Sequence, residues 1–85
     1  MDQTIRFEHF VHFTKDDCLF CAGRKQGSKR RSLYLIVNHT GRVYSRNRDS
    51  WEVVAAEEGT LIRQQATRAQ QAGVPCYTSN SHFNN

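Results

Sequence analysis

Cysteines and histidines are the residues of this chain with the most specific chemistry. Cys18 and Cys21 stand in a Cys-Leu-Phe-Cys run. Two thiolates at this spacing hold one tetrahedral ion when the residues between them form a turn. Near the end of the sequence, Cys76 and His82 could supply a second pair of ligands. The pattern therefore raises the hypothesis of a zinc site made of Cys18, Cys21, Cys76 and His82. No other cofactor is expected.

The same cysteines also have a simpler interpretation. Free cysteines are commonly buried as small apolar side chains. A redox-active CxxC pair is less favoured, because it usually accompanies a βαβ unit, which this sequence lacks. Three cysteines cannot form a complete set of intrachain disulfides, so we expect reduced thiols and a cytoplasmic protein. Zinc ligation and simple burial both stay open at this point.

No group of residues in the sequence indicates a catalytic site. Glu57 and Glu58 are adjacent, and adjacent side chains on a helix diverge. The sequence contains neither a phosphate-binding glycine loop nor an HExxH motif. No local signature orients a nucleophile against a base. We therefore predict that the protein is not an enzyme.

Basic residues are concentrated in the middle of the chain. Eight of the 12 Lys and Arg residues lie between Gly23 and Arg48, a stretch without any Asp or Glu. Lys and Arg among flexible Gly and Ser residues can follow a phosphate backbone, and neighbouring aromatic rings can stack on bases. The residues expected to bind a partner are Arg24, Lys25, Lys29, Arg30, Arg31, Arg42, Tyr44, Arg46, Arg48 and Trp51.

Three functions are compatible with this basic patch. In the first, the protein is an inhibitor or adaptor that binds a protein of a nucleic-acid-processing complex. In the second, it binds DNA or RNA directly and without sequence preference, because no recognised base-reading motif is present. In the third, it is a zinc-stabilised interaction module. In size and charge the chain resembles short accessory proteins of phages and mobile elements.

The predicted elements fall into a β-rich first half and a helical second half. Residues 4–13 alternate as a strand, and residues 33–38 and 42–45 form a hairpin around a turn that ends in Gly41. A long helix is predicted from Asp49 or Ser50 to the residues before Gly73, and residues 74–78 are a candidate short strand. The fold class expected is α+β: a small three-stranded antiparallel sheet with one long C-terminal helix packed on one face.

Length and composition limit the organisation of the chain. Its 85 residues, with a net charge of +4 and a pI near 9.3, suit one basic domain. We assign residues 1–78 to that domain and residues 79–85 to a flexible polar tail. The longest strongly apolar run, residues 33–37, is too short to span a bilayer. We expect a monomer or homodimer without a membrane partner.

Overall fold

The computed structural model describes residues 4–83, which form an α+β fold with a six-stranded mixed sheet and one helix. The elements in chain order are β1 Ile5–Phe13, β2 Cys18–Lys25, β3 Arg31–Val37, β4 Arg42–Asn47, β5 Ser50–Val53, α1 Ala56–Gln71 and β6 Cys76–Ser79. In this part of the chain, no helix is long and apolar enough to cross a lipid bilayer.

The sheet has the strand order β5-β4-β3-β2-β1-β6. The first five strands form an antiparallel meander, since each is joined to the next by a short turn or loop. Helix α1 then carries the chain across the sheet, and β6 pairs in parallel with β1. The helix therefore covers one face of the sheet and leaves the other without a helical layer.

The predicted three-stranded sheet was wrong for two reasons. The segment interpreted as a CxxC turn and basic loop is the central strand β2. The predicted first turn of the helix is instead strand β5, which follows a tight turn in which Arg48 adopts a φ of 57°. The spacing of Asp49 and Glu52 suits a helix cap, but Trp51 and Val53 favour a strand and pair with β4. The helix consequently begins at Ala56 and lies between two strands.

Other local predictions are confirmed. The hairpin forms, with Gly41 at a φ of 75°, and the helix ends shortly before Gly73, which has a φ of 99°. Both values lie in the left-handed region that glycine adopts without a steric penalty. The short strand near residue 76 also forms, but as a sixth member of the sheet.

The core lies between the sheet and α1. Ile62 and Ala66 of the helix pack on Phe10, Ile36 and Val43 of the sheet. Phe10 is fully buried, although plain alternation from residue 5 would have placed it opposite Ile5 and Phe7. A β-bulge between Phe7 and His9 shifts the register by one residue and brings Phe10 to the helix side. The bulge also turns His9, Val11 and Phe13 towards the helix-free face.

Candidate functional site

The helix-free face of the sheet, hereafter the open face, carries a continuous apolar stripe. Side chains alternate between faces along each strand, so the strand registers identify neighbours on the open face. One row crosses all six strands through directly paired residues: Tyr77, Val11, Phe20, Leu35, Tyr44 and Val53. Tyr77 and Val53 at its two ends are 58% and 60% exposed. An apolar stripe that crosses a whole sheet face makes this face the candidate interaction surface of the protein.

An aromatic cluster lies beside this stripe. Phe20 and Trp51 have ring centroids 6.4 Å apart, although they belong to β2 and β5. The ring of Phe83 packs between them and Phe13, with centroid distances of 6.3 Å to Phe20, 5.8 Å to Trp51 and 5.2 Å to Phe13. These contacts define the ring pocket, formed by Phe13, Phe20 and Trp51 and filled by Phe83.

Arginines stand at one end of the open face. Arg6, Arg24 and Arg31 lie side by side on β1, β2 and β3 in the paired registers. Glu8 accepts hydrogen bonds from Nε of Arg24 at 3.1 Å and from Nε of Arg31 at 3.2 Å. These donors lower the pKa of the Glu8 carboxyl below its ordinary value, so it is ionised at neutral pH. Glu8 orients the two arginines while neutralising only one of their charges.

The predicted basic patch is largely assembled at this same end. Arg46 on β4 donates from Nε to the Arg48 carbonyl, and its guanidinium carbon lies 5.5 Å from the centre of the Trp51 ring. Lys29 and Arg30 are exposed on the loop between β2 and β3. Two predicted residues are placed differently. Arg42 lies at the opposite end of β4, and alternation directs Lys25 towards the helix side.

The residues proposed as zinc ligands are spread over both faces. Cys18 and Cys21 lie on a strand, where residues three apart point to opposite faces. Cys76 is on the edge strand β6, where Gln70 Nε2 lies 3.6 Å from its sulfur. His82 is hydrogen-bonded through Nδ1 to Asp16 at 2.8 Å. Within residues 4–83, no group of three or more His, Cys, Asp or Glu side chains is placed to hold a metal ion. The zinc hypothesis stays an untested prediction.

The C-terminal segment is anchored beside the ring pocket. Asp16, in the turn after β1, accepts hydrogen bonds from the backbone N–H of Phe83 and bonds the His82 ring. Thr14 N–H donates to the Ser79 carbonyl at 3.0 Å. Residues 79–83 of the predicted flexible tail thus have specific contacts with the β1–β2 turn. Residues 84 and 85 of that tail lie outside the described residues.

Several residues of the open face were not predicted as functional. The sequence predicts a turn at Phe20, a buried strand at Leu35 and a flexible tail at Phe83. The continuous apolar run from Cys18 to Ala22 was the available signal for strand β2. No local pattern indicates Phe83, because its partners are distant in sequence.

Comparisons with protein-family models, with curated proteins and with solved structures found no match to this chain. The residues and their geometry are therefore the basis for inferring a function.

Proposed function

We propose that this protein binds single-stranded nucleic acid across the open face of its sheet. The observation that carries the proposal is the combination, on one face, of the apolar stripe and the arginines beside it. Neither feature alone would be specific, since apolar stripes also bind proteins and basic patches are common on surfaces. Together they provide the two kinds of contact that a nucleic-acid strand needs.

The stripe suits unpaired bases. Aromatic side chains on an exposed sheet stack on bases that are not held in a duplex, and each such contact contributes about 1–3 kcal/mol. Phe20 and Tyr44 are two strands apart in the same row, which corresponds to roughly 10 Å at the usual strand spacing. The two rings are thus separated along the row, and they offer successive stacking positions once Phe83, which packs on Phe20, is displaced. Bases within a duplex would not expose their faces to them.

The arginines suit the phosphates of the same strand. Among the residues assigned to the open face, Arg6, Arg24, Arg31 and Arg46 stand towards one end and Arg42 towards the other. Glu8 is the acidic residue on the described strands of this face, and it is already engaged by Arg24 and Arg31. The surplus of positive charge supplies the counterion release that drives non-specific binding to nucleic acids.

A protein partner is the second candidate. The exposed side chains of Val53 and Tyr77 could contribute to the apolar centre of a protein interface, with arginines at its rim. Under this proposal the protein is an inhibitor or adaptor of a nucleic-acid-processing complex. We rank it second because the arginine surplus requires an acidic partner surface in addition to an apolar one.

The direct test is fluorescence polarisation with labelled single-stranded DNA, single-stranded RNA and duplex DNA of roughly 8–16 nucleotides per strand. We expect the single strands to bind more tightly than the duplex. Tyr44→Ala should weaken binding by about 5- to 150-fold, whereas Tyr44→Phe should retain most of the affinity because it keeps the ring. Thermal unfolding of both variants checks that the fold is unchanged.

Two results would count against the proposal. Absence of binding to any oligonucleotide at low salt would exclude nucleic acid and favour the protein partner. Binding that is unaffected by Tyr44→Ala, in a correctly folded variant, would place the interaction away from the open face.

A further inference from the structure

We propose that the ring pocket formed by Phe13, Phe20 and Trp51 is a nucleobase-binding site, which the protein's own Phe83 fills in the absence of ligand. This inference rests on the proposed function and deepens it, because it assigns a specific base position on the open face. It also assigns the C-terminal segment a role as an intramolecular competitor.

The ring pocket already has an aromatic occupant. Phe83 presents a flat aromatic ring to three other rings, at a tilt of 29° to Phe20 and of 77° and 67° to Phe13 and Trp51. A space with aromatic walls that accepts one flat ring is suited in shape and chemistry to another, such as a base.

Trp51, one wall of the ring pocket, carries a hydrogen-bond donor that Phe83 leaves unsatisfied. Trp51 Nε1 is buried and has no hydrogen-bond partner within the described part of the chain. A buried N–H without an acceptor is unfavourable, and a phenyl ring cannot provide the acceptor. Nucleobases carry carbonyl oxygens and ring nitrogens on their edges that accept hydrogen bonds. Unlike the phenyl ring of Phe83, a base carries acceptor atoms that can pair with the Trp51 N–H.

A cation lies beside one wall of the ring pocket. The guanidinium of Arg46 lies over the Trp51 ring, with its carbon 5.5 Å from the ring centre. A nucleotide whose base entered the pocket would bring its phosphate into the vicinity of this positive charge. The pocket thus combines a stacking surface, an unpartnered donor and a cation, which are the contacts that one nucleotide requires.

Phe83 is held by contacts that can be released without disturbing the sheet. Its anchors are the Asp16 carboxylate and the short segment after β6, both on the surface at one end of the sheet. Phe83 itself belongs to no strand or helix, whereas Phe13, Phe20 and Trp51 are each part of the sheet. Displacing the segment would leave the pocket walls in place.

The experiment uses the single tryptophan of the chain as its probe, because Trp51 lines the pocket. Wild type, Phe83→Ala and Asp16→Ala are each titrated with unlabelled single-stranded oligonucleotide while tryptophan emission is recorded, and affinity is measured in parallel by polarisation. Before ligand is added, both variants should shift Trp51 emission to longer wavelength, since releasing Phe83 exposes the indole.

We expect Phe83→Ala to bind the oligonucleotide about 2- to 12-fold more tightly than wild type, because the competing ring is removed. Asp16→Ala should change affinity in the same direction by a smaller factor. Oligonucleotide should quench Trp51 emission in all three proteins. Tyr77→Ala is the matched control: it removes an aromatic ring that belongs to the stripe and is absent from the pocket. It should weaken binding without shifting the emission of the free protein.

The donor is tested separately with Trp51→Phe, which keeps a ring and loses the N–H. We expect it to bind more weakly than wild type and more tightly than Trp51→Ala. Equal affinity of Trp51→Phe and wild type would remove the hydrogen bond from the proposal.

Failure of this inference and failure of the proposed function give different results. If wild type binds oligonucleotide and Phe83→Ala binds equally or more weakly, with no quenching of Trp51, the ring pocket is not a base site while the proposed function stands. If neither protein binds any oligonucleotide, both proposals fail. If Phe83→Ala instead associates with itself in size-exclusion chromatography, the pocket receives a second copy of the chain and the nucleobase assignment is wrong.

Discussion

At the scale of single residues, the thiols show how strongly the surroundings control reactivity. Burial raises the pKa of the Cys21 thiol far above its ordinary value, and the neighbouring charge of Cys76 adds to the effect. Burial also raises the pKa of Cys18, with further contributions from Asp16 and Asp17. Thiolate is the reactive form, so both cysteines are protected at neutral pH. Cys76 is exposed on the edge strand.

These differences predict the order of thiol modification. With a thiol-specific disulfide reagent at neutral pH, Cys76 should react first, and Cys21 should react only when the protein unfolds. The time course is measured by absorbance of the released thiol. Cys76→Ser should remove the fast phase and leave the slow ones. A fast phase that persists in this variant would show that Cys18 or Cys21 is more accessible than the structure indicates.

At the scale of secondary-structure elements, two glycines have opposite surroundings. Gly59 lies within α1, where a Cβ would stand 3.5 Å from Val43 Cγ2, an ordinary van der Waals contact. Gly23 lies on β2, where a Cβ would stand 2.8 Å from the Arg6 carbonyl oxygen and 3.0 Å from Phe7 Cα. The helix therefore tolerates a methyl group at its glycine, while the bulged pairing of β1 and β2 does not.

We accordingly expect opposite changes in the free energy of unfolding. Gly59→Ala should stabilise the protein by about 0.5–1 kcal/mol, because alanine restricts the unfolded chain and favours the helix. Gly23→Ala should destabilise it by about 1–3 kcal/mol, because backbone atoms of β1 have to move. Urea denaturation of the two variants beside wild type measures both changes. Equal effects of the two substitutions would contradict the β1–β2 geometry.

The C-terminal segment is an element whose attachment should depend on pH. Hydrogen bonds from His82 and from the Phe83 N–H hold the pKa of Asp16 below its ordinary value. The pKa of Asp16 is thus lower in the folded protein than in the unfolded chain, where it is about 3.9. The attachment of the C-terminal segment to Asp16 is therefore fully present above about pH 3.9, and it is lost as pH falls through the lower pKa of the folded protein. Acidification below about pH 4 should thus release Phe83.

Trp51 emission reports this release. Wild type should show a shift to longer wavelength on acidification, and Asp16→Ala should show the shifted emission already at neutral pH. Asp17→Ala is the control, since Asp17 bonds His12 and Asn38 rather than the C-terminal segment. It should keep the acid transition of wild type. An identical acid transition in Asp16→Ala would mean that another group controls the segment.

At the scale of the whole molecule, the distribution of charge matters more than the net charge of +4. The β2–β3 loop and the β4–β5 turn lie at the same end of the sheet because the strands between them are antiparallel. Arginines that are far apart in sequence therefore meet at that end. Arg68, by contrast, lies on α1 at the opposite side of the sheet. The proposed interface on the open face is basic, and Arg68 on the helix side is a control position for removing a positive charge.

This asymmetry predicts a specific salt dependence. For single strands, the slope of log affinity against log salt changes by roughly 0.7 for each phosphate contact. The double variant Arg31→Gln, Arg46→Gln should reduce the steepness by up to about twice this amount, whereas Arg68→Gln should leave it unchanged. The slopes are measured by polarisation across a salt series. A larger effect of Arg68→Gln would move the phosphate path to the helix side.

Much of the local structure was determined by the sequence itself. The strand near residues 4–13, the turn ending in Gly41 and the helix stop at Gly73 depend on neighbouring residues, and each is present in the structure. The concentration of arginines between residues 24 and 48 likewise needs no fold to be visible. Such features depend on contacts or charges close together along the chain.

Other features were decided only by the tertiary structure. One bulged residue moved Phe10 to the core, and placing Cys18 and Cys21 on a strand sent them to opposite faces. The face of the sheet that stays open depends on where α1 crosses. The ring pocket depends on contact between Phe20 and Phe83, which are far apart in the sequence. Pairings at such separations have no local signature, because packing, rather than the properties of neighbouring residues, selects them.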